Sequence, residues 1–226
     1  MNTKYILHLS GGKDSTALLI YILENNLPLD EIIFCDTTKE FPDMYNHLDQ
    51  IEKSLNVSIT RLKEKSFDYW FYQHKKTKGK NKGEYGYGWP FMGLRWCTKQ
   101  LKQWVANKYI KSLDVPNIQY LGIAYNEKQR AEKFIKLNYS FPLITGKISE
   151  DECLRKAYSY GFTWNGLYEK IPRVGCYLCP LRKLSGLEII YNEFPELWED
   201  IRFLDSKTSR PFKLGYTLQE IEKKFS

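Results

Sequence analysis

The sequence predicts an α/β fold, with a parallel sheet covered by helices on both faces and a small, mostly helical C-terminal subdomain. Three observations lead to this prediction. Short apolar segments alternate with longer segments of helical periodicity in the first half of the chain. A glycine-containing corner follows the first apolar segment. Beyond about residue 142 the pattern changes to short helices and loops, so we expect a first domain at 1–145 and a cysteine-containing subdomain at 146–226.

Taken in order, strands and helices alternate up to residue 63. The predicted strands are residues 4–9, 31–36 and 58–63, and the predicted helices between them are residues 14–26 and 41–55. A second group consists of a helix at 97–113, a strand at 117–125 and a helix at 127–135. Strands joined through helices of this length indicate a parallel sheet. Residues 75–90, with five lysines and four glycines, are predicted to form a surface loop.

The charge favours a polyanionic partner. The chain has 34 lysines and arginines against 27 acidic residues, a net charge of +7, and an isoelectric point near 9.0. A nucleotide, a phosphosulfate or RNA would suit this balance. No segment approaches the roughly 18 apolar residues that a membrane span needs, and the first residues lack the features of a signal peptide. We therefore expect a cytoplasmic protein without a membrane partner.

The corner at residues 10–15, with the sequence SGGKDS, has the composition of an anion-binding site. It joins a predicted strand to a predicted helix, where glycines let backbone amides turn inward and the helix dipole attracts negative charge. Ser10 and Ser15 add hydroxyl donors, Lys13 adds a mobile positive charge, and Asp14 can cap the helix or orient a magnesium-bound phosphate. An ordinary glycine turn is the alternative, but it does not require serine, lysine and aspartate together.

SGGKDS resembles the PP-loop of the ATP pyrophosphatases and adenylyltransferases. The segment FCDTTKEFPDMYNHL, residues 34–48, resembles the phosphoadenosine phosphosulfate (PAPS) reductase branch of that superfamily. The resemblance implies an adenine nucleotide alpha hydrolase-like, Rossmann-like fold that binds ATP and Mg²⁺. The nucleotide-binding residues it implies are Ser10, Gly11, Gly12, Lys13, Asp14, Ser15, Asp36 and Gly122. The catalytic residues it implies are Lys13, Asp14 and Arg130.

Two further segments resemble the same branch. In LGIAYNEKQRAEKF, residues 121–134, Gly122, Glu127 and Arg130 match the segment that returns to the ATP site, whereas Ala124 occupies the position of an arginine. In LRWCTKQLK, residues 94–102, the resemblance implies that a sulfate or second substrate is bound. The residues of this anion site are Arg95, Lys99 and Lys102, and a solvated helix face is the alternative interpretation.

The five cysteines indicate metal binding or free thiols rather than disulfides. Cys97 precedes Cys176 by 78 intervening residues, and Cys176 and Cys179 form a C-x-x-C pair. This spacing resembles the adenosine phosphosulfate (APS) reductases, in which four cysteines hold a [4Fe–4S] cluster. Trp96 stands where the remaining ligand would be, so three metal ligands are expected, with Cys153 as a candidate fourth. Zinc, or no metal at all, are the alternatives.

Three functions follow from the resemblance. The first is a PP-loop enzyme that adenylates an acceptor, releases pyrophosphate and then transfers sulfur, with a sulfur- or electron-donor protein as partner. The second is a sulfonucleotide reductase, although those enzymes use a C-terminal cysteine and no cysteine follows Cys179 here. The third is a non-catalytic nucleotide- or nucleic-acid-binding module. Nucleic acid is a candidate partner because the loop at 75–90 also carries Tyr85, Tyr87 and Trp89.

Overall fold

The computed structural model describes residues 2–134 and 138–225 and contains a five-stranded parallel sheet. The strands are β1 Lys4–His8, β2 Glu31–Cys35, β3 Thr60–Leu62, β4 Asn117–Leu121 and β5 Tyr139–Ser140. Their order across the sheet is β3-β2-β1-β4-β5, and every neighbouring pair is parallel. The predicted fold class is therefore confirmed.

Helices connect the strands and make up the last part of the chain. The α-helices are α1 Lys13–Glu24, α2 Pro42–Leu55, α3 Trp104–Ser112, α4 Pro142–Thr145, α5 Glu150–Ser159, α6 Leu167–Lys170, α7 Leu184–Glu193, α8 Pro195–Asp205 and α9 Leu218–Phe225. Segments Tyr125–Phe134 and Trp164–Gly166 are 3₁₀-helical, and Tyr69–Gln73 and Thr98–Gln103 are π-helical. Within the described ranges, every helix is too short or too polar to cross a bilayer.

The chain divides into two compact units. The first unit consists of residues 1–35, 42–62 and 106–168, and the second consists of residues 36–41, 63–105 and 169–226. This division differs from the predicted boundary near residue 145. The physical reason is that α5, which the prediction placed in the C-terminal subdomain, packs against α1 in the first unit.

The centre of the sheet is β1, which pairs with β2 on one side and β4 on the other. Ile6 lies opposite Glu31 of β2 and opposite Gln119 of β4. Ile6 and its neighbour Leu7, whose side chains point to opposite faces, are both fully buried, as expected for a parallel sheet covered on both sides. On the Ile6 face, Ala106 and Ile110 of α3 pack against the core.

The structure differs from the sequence predictions after β4 and in the lysine-rich loop. The expected helix at 127–135 is the 3₁₀ segment Tyr125–Phe134, with non-helical backbone at Glu127, and residue 135 lies outside the described residues. The two-residue strand β5 was not predicted.

Within the lysine-rich loop, Trp89 is fully buried and its indole N–H donates to Asp205 Oδ1 at 2.7 Å. Trp89 is therefore a core residue and not part of a nucleic-acid clamp.

A buried histidine stabilises the first unit only in its neutral form. His47 on α2 is 1% exposed, and its Nε2 lies 3.0 Å from the hydroxyl oxygen of Thr16 on α1. Its ring packs against Trp164 with centroids 4.2 Å apart, and among the described residues its Nδ1 has no hydrogen-bond partner. Burial lowers the pKa of His47 from 6.5 to about 3. Protonation is therefore opposed in the folded state.

We expect acid to destabilise the protein through His47. Between pH 7 and pH 5 the unfolded state binds a proton at this residue and the folded state does not, which lowers the free energy of unfolding by about 2 kcal/mol. His47→Gln keeps a polar contact for Thr16 and does not titrate. Between pH 7 and pH 5, urea unfolding should therefore show a smaller loss of unfolding free energy for the variant than for the unchanged protein. Equal losses in both proteins would contradict this role.

Candidate functional site

The loop at residues 10–15 forms a tight corner between β1 and α1. Gly12 is the N-cap of α1 in an extended conformation and has no side chain to cap the amides that follow. Gly11 has a φ of +77°, and a Cβ at this position would lie 2.4 Å from Met44 Sδ. Ser15 Oγ accepts from the Ser10 amide at 3.1 Å and donates to the Gly12 carbonyl at 3.0 Å. Gly12 therefore places no side chain of its own over the start of α1, and a helix N-terminus of this kind is the setting in which backbone amides bind anions.

Gly122 brings the end of β4 against this corner. A Cβ on Gly122 would lie 2.9 Å from both the amide nitrogen and the Cα of Ser15. The strand order reverses between β1 and β4, and in open α/β sheets ligands bind beyond the carboxyl ends of strands at such a switch point. The predicted nucleotide residues of the loop and Gly122 are therefore adjacent in the first unit.

Charged groups surround Lys13. Its Nζ lies 2.8 Å from Asp14 Oδ1 and 2.6 Å from Glu150 Oε2 on α5. Burial opposes the charge of Lys13, but the hydrogen bonds to the two carboxylates raise its pKa overall, so the ammonium stays charged. Burial raises the pKa of Asp14, and the charges of Glu150 and Glu127 raise it further, while Lys13 opposes them. The Lys13 ammonium and the carboxylates of Asp14 and Glu150 thus lie together at the mouth of the loop.

Two residues that the sequence did not predict complete the corner. The indole N–H of Trp164 donates to the Gly11 carbonyl at 2.7 Å, and the Lys13 amide donates to the Tyr168 hydroxyl at 2.8 Å. Burial raises the pKa of Tyr168, so it stays a neutral phenol. A Cβ on Gly12 would lie 3.2 Å from the Tyr168 hydroxyl, a tight contact that favours glycine at this position. No local pattern in the sequence indicates contacts across more than 150 residues.

Arg130 lies in the same unit, on the segment that follows β4. Its guanidinium forms an ion pair with Glu127, and half of its side chain is exposed. Ala124, at the position where the family resemblance expects an arginine, is fully buried. Arg130 is thus held near the end of β4 by a carboxylate, and its catalytic role stays a prediction.

The other predicted site residues belong to the second unit. Asp36 Oδ1 accepts from the Thr38 amide at 2.7 Å and so supports the turn after β2. Arg95 and Lys99 are exposed, whereas Lys102 is half-buried with its Nζ 3.6 Å from Glu40 Oε1. These contacts do not bear on binding of a nucleotide or a second anion, so the roles of the four residues remain predictions.

Cys97, Cys176 and Cys179 are all in the second unit and are half-buried. The Cys176 thiol donates to Glu40 Oε1 at 3.4 Å and lies 3.3 Å from the Thr37 hydroxyl oxygen. Burial raises the pKa of Cys176, and the Glu40 carboxylate raises it further. Burial also raises the pKa of Cys97, with a smaller contribution from Cys179. The raised pKa values keep the thiols of Cys97 and Cys176 protonated.

The arrangement does not fit a metal site. Across residues 2–134 and 138–225, no three histidine, cysteine or acidic side chains are placed to hold a metal ion together. Cys153 is fully buried on α5 in the first unit, where burial raises its pKa to about 12. The predicted cluster or zinc ligation therefore gains no support from the geometry and stays a prediction.

The second unit also contains a buried ion network that the sequence did not indicate. Lys39 is 6% exposed, and its Nζ lies 2.8 Å from Asp200 Oδ2 and 3.0 Å from Asp68 Oδ1. The Tyr177 hydroxyl donates to Asp200 Oδ2 at 2.7 Å. A buried cation compensated by two carboxylates joins the segment after β2 to α8 and to the C-x-x-C segment.

Comparison with known proteins identifies relatives of both sequence and fold. Two proteins of Methanocaldococcus jannaschii, the uncharacterized proteins MJ0066 and MJ0973, are 30% and 28% identical over 84% and 85% of this chain. The chain spans only 39% and 46% of their lengths. The crystal structure of a PAPS reductase from Candida auris, in complex with phosphate, aligns with a TM-score of 0.54 at 16% identity. That alignment covers 78% of this chain and 82% of the reductase and shows a shared fold.

A family match covers the strands and loop described above. Residues 4–117 match the phosphoadenosine phosphosulfate reductase domain, a segment that begins at β1, includes the corner at residues 10–15 and ends at the start of β4. This match spans half of the chain. The chain therefore belongs to the phosphoadenosine phosphosulfate reductase domain family.

Proposed function

We propose that this protein binds ATP at residues 10–15 and adenylates an acceptor, with release of pyrophosphate, as the activating step of a sulfur transfer. The observation that carries the proposal is the corner itself. Two glycines and two serines shape the start of α1, and Gly122 brings β4 against it at the switch point of the sheet. Lys13 supplies a charged ammonium at its mouth.

The chemistry is an attack on the α-phosphorus of ATP. An acceptor oxygen forms a bond to that phosphorus, the bond to the bridging oxygen breaks, and pyrophosphate leaves. Negative charge grows on the departing oxygens, where backbone amides of the corner and the Lys13 ammonium would stabilise it. Arg130 would add a second cation. Asp14 and Glu150 are the carboxylates that would hold Mg²⁺, which is usually bound by one or two carboxylates together with substrate phosphates and neutralises their charge.

Transfer of sulfur would use the thiols of the second unit. A persulfide donor would transfer its outer sulfur atom to Cys97, Cys176 or Cys179 and leave as a thiol, and the resulting cysteine persulfide would attack the activated acceptor and displace AMP. An external thiol would then attack the sulfur–sulfur bond, which releases the thiolated acceptor and leaves a disulfide between that thiol and the cysteine. Glu40 accepts a hydrogen bond from the Cys176 thiol and would receive its proton as the sulfur atom reacts. This proposal does not depend on a [4Fe–4S] cluster or on zinc.

Reduction of PAPS or APS is the second candidate, and the family match favours it. The two functions differ in product, because a sulfonucleotide reductase releases sulfite from PAPS when it is supplied with reduced thioredoxin. Sulfite release without pyrophosphate release from ATP would replace the first proposal with the second. A protein that binds ATP but releases neither product with any acceptor would be a binding module.

Replacing Lys13 should test the loop directly. Lys13→Ala removes the ammonium and leaves the backbone amides in place, so we expect pyrophosphate release from ATP to fall by about a hundredfold. The measurement is a coupled pyrophosphate assay with total cellular RNA and with small-molecule pools as acceptors. Lys156→Ala, which removes an ion-paired lysine of the same unit, is the matched control and should retain activity. Equal rates in the two variants would overturn the assignment of the loop.

Removing the charge of Glu150 should strengthen anion binding when magnesium is absent. The Glu150 carboxylate lies beside Lys13 and repels a bound phosphate, so we expect Glu150→Gln to bind inorganic pyrophosphate about fivefold more tightly in EDTA. Isothermal titration calorimetry measures the difference. Asp151→Asn removes an exposed charge from the same helical turn and should leave the affinity unchanged. Weaker binding by Glu150→Gln would show that this carboxylate does not face the anion.

A further inference from the structure

The positive charge of the chain is concentrated in one stretch of the second unit. Residues 63–105 contain ten lysines and arginines and three acidic residues, a net charge of +7 that equals the net charge of the whole chain. The first unit contains equal numbers of basic and acidic residues. The exposed basic side chains of the stretch are Lys63, Lys65, Lys75, Lys78, Lys80, Lys82, Arg95 and Lys99. A strong positive field at one surface attracts polyanions.

This stretch has a defined backbone. The Lys76 amide donates to the Glu84 carbonyl, and the Gly86 amide donates to the His74 carbonyl, each at 2.8 Å. Gly86 has a φ of +69°, and a Cβ there would lie 2.1 Å from the carbonyl oxygen of Phe71. The lysines of residues 75–82 therefore extend from a hydrogen-bonded hairpin that is anchored on the π-helical segment.

Aromatic rings lie among these lysines. Trp70 and Tyr87 are stacked, with centroids 6.1 Å apart and planes 16° apart, and the ring of His74 lies 4.6 Å from Trp70. All three are partly exposed. Tyr85 is 63% exposed, and the Lys75 ammonium lies 5.9 Å from its ring centroid. A lysine-rich segment that served only solubility would not need exposed aromatic rings.

Exposed apolar side chains also lie within residues 63–105, at the turn formed by residues 91–94. Phe91 and Leu94 close a tight turn through paired backbone hydrogen bonds, and Met92 between them is 76% exposed. The Arg210 guanidinium lies 5.1 Å from the centroid of the Phe91 ring, so a further cation stands at this turn. Cations mixed with exposed apolar and aromatic groups match the two chemical features of an unpaired polynucleotide, its phosphates and its base faces.

We propose that the surface formed by residues 65–99, here called the basic aromatic surface, binds single-stranded RNA. Its lysines and Arg95 contact phosphates, and Tyr85 with the Trp70–Tyr87 stack receives unpaired bases. RNA is the polynucleotide that regularly presents unpaired bases, in loops and bulges, whereas a duplex hides its base faces. This binding goes beyond the proposed function and needs no ATP, so either can fail while the other holds.

The test is fluorescence anisotropy with the full chain and a labelled 15-nucleotide RNA of mixed sequence, single-stranded or annealed to its complement. We expect the dissociation constant for the single strand to be at least tenfold lower than that for the duplex. Tyr85→Ala should weaken single-strand binding about tenfold without changing its salt dependence, because stacking does not release counterions. Tyr160→Ala, an exposed tyrosine of the first unit, is the control and should have no effect.

Lysine variants separate charge from stacking. The double variant Lys78→Ala, Lys80→Ala should reduce the slope of log affinity against log salt by about 1.4, which corresponds to two lost phosphate contacts on a single strand. Lys53→Ala with Lys111→Ala, two exposed lysines of the first unit, should leave the slope unchanged. Equal affinity for duplex and single strand, no effect of Tyr85→Ala, or binding to anionic lipid vesicles but not to RNA would each overturn the proposal.

Discussion

The close approach of Gly122 to the backbone of Ser15 is the constraint on which the first unit depends. Side-chain atoms at residue 122 would lie 2.9 Å from two backbone atoms, so any other residue would push β4 away from the start of α1. That contact lies beyond the carboxyl ends of β1 and β4, where their two helical connections leave the sheet in different directions. A tight, amide-lined corner can form there because no side chain fills the space between strand and helix. The tight corner at residues 10–15 is thus a consequence of the sheet order and of one missing Cβ.

Local patterns in the sequence predicted the central elements well. Strands β1 and β2 and helices α1 and α2 begin and end within one or two residues of their expected positions, because each has an apolar pattern, and α1 and α2 also have Gly12 and Pro42 at their first boundary. Strand β5 has only two residues, too few to show any period. The segment after β4 has helical composition but adopts a 3₁₀ conformation interrupted at Glu127. Contacts with distant parts of the chain decide the conformation of such segments, and local sequence patterns do not reveal those contacts.

The candidate site was predicted from the motif but not from its surroundings. The residues of the SGGKDS corner and Gly122 come together as the motif implies. Trp164, Tyr168 and Glu150 contact the same corner from positions more than 130 residues away, and in the sequence they resemble ordinary core and helix-surface residues. The C-x-x-C motif defines the spacing of Cys176 and Cys179 along the chain, but it does not define how the cysteines are arranged in space. Cys176 instead lies against the carboxylate of Glu40, which opposes the thiolate that a metal requires.

The two units differ in how their charge is arranged, and the two proposals therefore rest on different physical means of attracting anions. The corner of the first unit has no excess of positive side chains, since Lys13 is matched by Asp14 and Glu150. Under the proposed function, its attraction for phosphate would come from oriented amides, which act only at contact distance and select a small anion of the right shape. The stretch at 63–105 carries the entire net charge, and such a field acts over about 8–10 Å at physiological salt with little selectivity of its own. If the second unit binds RNA as proposed, its selectivity would therefore have to come from short-range contacts, and the exposed aromatic rings among its lysines are groups that can supply them.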